Sequence, residues 1–102
     1  MRVSAPDRDT ADRLARLLVE ARLAACVQVL PGLTSTYRWE GAVETADEVL
    51  LLAKTSAAAA PALMALAERE HPYDVPEVLA VPVVAASDRY AVWLAESVSP
   101  PA

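Results

Sequence analysis

The sequence has no phenylalanine, one cysteine, one histidine and two glycines, and its aromatic fraction is only 5%. Without phenylalanine, the core has to be built from Ala, Val and Leu, each of which buries little area. At ~25 cal/mol per Å² of apolar surface such a core is thin, so subunit association is expected to supplement it. A single cysteine, Cys26, excludes an internal disulfide and any paired-cysteine zinc site. Gly32 and Gly41 are too few for a phosphate-cradling loop or a dinucleotide fingerprint, which removes most nucleotide-enzyme readings. No apolar run approaches the ~20 residues that span a bilayer, and Met1–Pro6 has no signal-type apolar stretch, so a cytosolic protein is expected. Positive charge is scarce as well. The net charge of −5 and pI near 4.7 disfavour nucleic acid and anionic membrane as partners.

What is present falls into alternating strand and helix signals. Arg2–Ala5 reads as a short strand ending at Pro6-Asp7. Asp7 or Asp9 can cap a helix in which Ala11, Leu14, Ala15, Leu18 and Ala21 recur at helical spacing. Arg13, Arg16, Glu20 and Arg22 fall on its wet side, with Arg22 suited to the C-terminal end of the dipole. Ala24–Leu30 then reads as a buried strand that Pro31-Gly32 interrupts and residues 34–39 resume, a pattern expected of a bulge. After a turn at Glu40-Gly41, Val43–Thr55 returns as the second arm of a hairpin. Its first arm would extend about 45 Å, whereas a compact domain of this size is about 34 Å across. The hairpin should overhang its own domain.

A second helix follows over Ser56–Glu70, with Pro61 either as its first residue or after a loose lead-in turn. Leu63, Leu66 and Ala67 should face the core. The segment His71-Pro72-Tyr73-Asp74-Val75-Pro76-Glu77 comes next. Its prolines each push the preceding residue out of the α region, which predicts a rigid helix-to-strand joint. A strand should then run from near Val75 through Val84. Ser87-Asp88 caps a last helix with Ala91, Leu94 and Val98 on one stripe. The order predicts an α/β (α+β) sandwich, ferredoxin-like βαββαβ, with a long central hairpin and an extra C-terminal helix. Residues 1–98 form one domain and 99–102 a tail.

Four segments resemble the CutA divalent-cation-tolerance family: Leu18–Val27, Tyr37–Gly41, Leu51–Thr55 and His71–Glu77. The proline-aspartate after the first strand and Tyr90 with Trp93 also fit. The resemblance covers nearly the whole chain. It implies a ferredoxin-like fold, a homotrimer with shared sheets, cytoplasmic location, an association with copper tolerance and no catalytic activity. It also shows departures. Relatives thought to bind copper carry a cysteine on the first strand and a doubled histidine before Pro-Tyr, where this chain has Val3 and Glu70.

His71 is the candidate metal ligand, since imidazole suits copper or another divalent cation. Glu70, Asp74, Glu77 or a neighbouring subunit would have to assist it. The competing reading is a structural histidine bonding the end of the helix. With the strand-one thiol missing, the expectation is weak, exchangeable binding and no required cofactor. Cys26 reads as a small core hydrophobe. Tyr37, Trp39, Lys54, Tyr73 and Glu77 could line a pocket between subunits. Lys54 is either where the strand leaves the core or a cation directed into that cleft. Tyr37 with Trp39 fits an interface anchor at least as well as a ligand platform. That pocket supports the alternative of a trimeric small-molecule sensor resembling P-II signalling proteins. Glu44, Asp47 and Glu48 read as solvated, as do Arg13, Arg16 and Glu20.

Overall fold

Strand β1 (Arg2–Ala5) leads into helix α1 (Arg8–Glu20), and strands β2 (Cys26–Trp39) and β3 (Ala42–Lys54) form the hairpin. Helix α2 (Ala60–Glu70), strand β4 (Val78–Leu79) and helix α3 (Asp88–Ser97) complete the order. The computed structural model describes residues 1–99, so all of the expected tail except Ser99 lies outside the described residues. The strands make one antiparallel sheet in the order β2-β3-β1-β4, the ferredoxin-like arrangement.

Helix α1 starts where Asp7, in extended conformation, accepts a hydrogen bond from the Thr10 amide at 2.8 Å. It ends in a Schellman motif. The Leu23 amide bonds the Leu18 carbonyl, and the Arg22 amide bonds that of Val19. Arg22 takes the left-handed position at φ 59°, a place usually given to glycine. Its side chain is exposed, as expected, but it is not idle there. It donates to the Glu96 carbonyl and the Ser99 hydroxyl, each at 2.9 Å, and so steadies the C-terminal end of α3.

The core lies between the sheet and helices α1 and α2. Val3, Ala5 and Leu51 pack beneath Ala11 and Leu14, while Leu18 and Leu63 meet over Ala53. Pro61 falls in the first turn of α2, where its missing amide hydrogen leaves nothing unpaired. Leu63 and Ala67 are buried and Leu66 half-buried, as the spacing predicts.

The hairpin turn is Glu40-Gly41 with φ 50° and 82°, the sign pattern of a type I′ turn, which matches strand twist. The register slips between Leu30 and Leu33, so Pro31-Gly32 is the expected bulge. The domain measures 44 × 26 × 23 Å, longer than the compact domain expected for this length.

Two expectations need correcting. The strand after the joint does not continue to Val84; it pairs only at Val78–Leu79. Leu79 already lies opposite Arg2, so the following residues run past the start of β1, and Pro82 has no amide hydrogen to offer. Val83 and Val84 are 79% and 97% exposed. In α3, Ala91 is exposed, and only Leu94 and Val98 reach the core.

Candidate functional site

The two prolines of the 71–77 segment hold it as a fixed corner between α2 and β4. His71, the residue after α2, is extended and only 8% exposed. Its Nε2 lies 2.7 Å from the Ser4 carbonyl, and its Nδ1 accepts from the Tyr73 amide at 3.1 Å. Those partners define the tautomer, because a carbonyl requires Nε2–H and an amide donor requires a bare Nδ1. Both nitrogens of the neutral ring are thus engaged, and its tilted stacking on Tyr73 (ring centroids 4.9 Å apart) adds to the anchoring. The imidazole ties the end of α2 to β1. It does not bond the last carbonyls of its own helix.

Tyr73 reaches from this anchor across to β3, where its hydroxyl donates to Glu48 Oε2 at 3.2 Å. Burial and the neighbouring Glu48 carboxylate raise its pKa above the ordinary phenol value, so it remains a donor. Glu48 itself is 8% exposed. The expectation of a solvated Glu48 is corrected here: the 71–77 loop covers it, and strand alternation carries no sign of that cover.

Beside this pair opens a cavity of about 910 Å³ between the hairpin and the joint. On β2, alternation places Ser35, Tyr37 and Trp39 on one face, and antiparallel pairing sets Glu44 opposite Tyr37. Tyr37, Trp39, Tyr73 and Glu77, all expected together, line it, joined by Glu44, Glu48 and Asp74. Lys54 does not. It lies toward the base of the hairpin, opposite Cys26, where its ammonium donates to Gln28 Oε1. Strand register explains the difference, since Lys54 ends the buried run of β3 while the cavity opens on the half nearer the turn.

The metal expectation can be tested against the donors. Glu70 faces Arg13, whose guanidinium bonds the Glu70 carbonyl at 2.8 Å and lies 3.6 Å from its carboxylate. Cys26 is half-buried on β2, paired with Lys54. Among the described residues no three His, Cys, Asp or Glu side chains group as metal ligands. Ligation through His71 would require breaking one of its two hydrogen bonds, to the Ser4 carbonyl or from the Tyr73 amide. The donor set of one chain does not fit a resident divalent metal.

The chain matches a family model described as CutA1 divalent ion tolerance protein over residues 1–97. It is 45% identical over 95 residues to the divalent-cation tolerance protein CutA of Thermus thermophilus, covering 93% of this chain and 92% of that protein. It is 42% identical to a chloroplastic CutA protein of Arabidopsis thaliana, of which it spans 52% while 93% of this chain is covered. The solved Thermus thermophilus structure superposes with a TM-score of 0.93 at 44% identity, covering 96% and 95% of the two chains. A CutA of Archaeoglobus fulgidus, described as periplasmic, gives 0.93 at 31% identity, with 96% of this chain and 95% of that one covered.

Proposed function

This chain belongs to the CutA1 divalent ion tolerance family, and from that premise we propose that it acts as a non-catalytic homotrimer in the cytoplasm. In this reading it contacts copper or other divalent cations weakly and exchangeably, and its cavity opens at the junction between subunits. The observation that carries the assembly is the exposed apolar segment after β4. Val81, Val83 and Val84 are exposed and have no ladder partner among the described residues. An exposed apolar run of β-forming residues is a liability that a neighbouring subunit removes. The resemblance to the family supplies the number three.

Weak cation contact follows from the donors. His71 is committed to Ser4 and Tyr73, and Glu70 to Arg13. The net charge of −5 still attracts cations diffusely. Calorimetric titration of the assembled protein with copper and with zinc tests this. The expected result is no saturable site tighter than about 1 μM, with His71→Ala leaving the isotherms unchanged. A tight stoichiometric site lost in His71→Ala would overturn it. The sensor alternative is less well supported, because the one lysine assigned to its pocket bonds Gln28 instead.

A further inference from the structure

The cavity beside the joint holds more negative charge than the fold has use for. Glu44, Glu48, Asp74 and Glu77 line it against the single guanidinium of Arg38. Glu48 is the informative member. Tyr73 bonds its Oε2, and no donor among the described residues reaches its Oε1. Yet among those residues no fully sealed side-chain nitrogen or oxygen is left without a partner. Oε1 is therefore not sealed off, and Glu48 is among the residues that line the cavity. Glu48 has one neutral donor and no ion-pair partner among the described residues, so a cationic donor carried by a ligand could add a charge-assisted hydrogen bond.

The rest of the lining narrows the ligand class. A bare divalent ion takes about six or more oxygens at roughly 2.0–2.6 Å, and no three acidic side chains group that closely among the described residues. A cavity of about 910 Å³ is instead at the scale of a small organic molecule. Tyr37 and Trp39 are among its lining residues, and aromatic rings attract cations, while Pro72, Val75 and Pro76 add apolar lining suited to a hydrocarbon stem. The spread of carboxylates repels an anion.

We propose that this cavity binds a small organic ammonium ion. Glu48 receives its charged head, its stem lies against Tyr37 and Trp39, and Asp74 and Glu77 accept a second amino group in a diamine. The proposal goes beyond the cation-tolerance reading and rests on the cavity and its lining alone.

Calorimetry on the full chain at constant ionic strength, with putrescine as the cation and succinate as a matched anion, tests both levels. Putrescine is expected to bind at one site per chain. Its affinity should fall about tenfold or more in Glu48→Gln, which retains an acceptor for Tyr73. It should fall several-fold in Glu77→Gln, an exposed position where folding is not at stake. Putrescine affinity unchanged in both variants would overturn the ammonium assignment. Succinate binding that is lost in Tyr37→Ala, without putrescine binding, would leave the cavity as a site and remove the cation. If neither probe binds, the cavity reading falls as well.

Discussion

His71 shows how far a single residue's role depends on partners far away in the chain. Its place at the end of a helix is legible from Pro72, but its bond to Ser4 is not, because nothing local connects β1 to that position. Glu48 was illegible for the same reason: among Glu44, Asp47 and Glu48, only the tyrosine loop from elsewhere distinguishes one acid. Replacing His71 with Ala leaves the Ser4 carbonyl and the Tyr73 amide without their partner. Chemical denaturation of the variant should show a loss of about 2–3 kcal/mol. Tyr73 gives a pH signature. Its folded pKa is raised, so its contribution is complete below the ordinary phenol value of 10.0 and is lost as pH rises through the folded pKa. Stability measured across alkaline pH should therefore decline more steeply in the native protein than in Tyr73→Phe. Equal slopes would remove the Tyr73–Glu48 contact from the account.

Among the elements, those decided by local chemistry were readable and those decided by a distant partner were not. The aspartate cap, the position of Pro61, the bulge and the hairpin turn all follow from residues within a few positions of each other. At Gly41 the backbone is at φ 82°, and a Cβ there would meet nothing within 4 Å. The penalty in Gly41→Ala is then backbone alone, about 1–2 kcal/mol by thermal or urea unfolding, and Gly41→Asn should recover part of it. Helix α3 is the opposite case. It buries no residue along its length and depends on Val98 and on Arg22 at its end. In Arg22→Ala, amide exchange should quicken in α3 while β3 amides keep their protection. Uniform loss across both would mean that α3 is not a separately held element.

The whole molecule carries the largest mismatch between pattern and single-chain structure. Residues Val78–Val84 have the composition of a buried strand, yet only Val78 and Leu79 pair, and Val84 is 97% exposed. The sequence pattern and the structure agree if that surface is covered by another copy of the chain, a condition no local reading can reveal. Trp39, on the outer part of the hairpin and half-exposed, should then contribute more to association than to folding of one subunit. Trp39→Ala is expected to shift assembly to higher concentration with little change in monomer secondary structure by circular dichroism. The central claim is that the exposed segment after β4 and the long hairpin are covered by two further subunits. Sedimentation equilibrium on the wild-type chain at low micromolar concentration tests it most directly. The account predicts a single species at three times the 10.9 kDa chain mass, with Val84→Asp sedimenting as smaller species. A wild-type chain that remains a stable 10.9 kDa monomer at that concentration would contradict it.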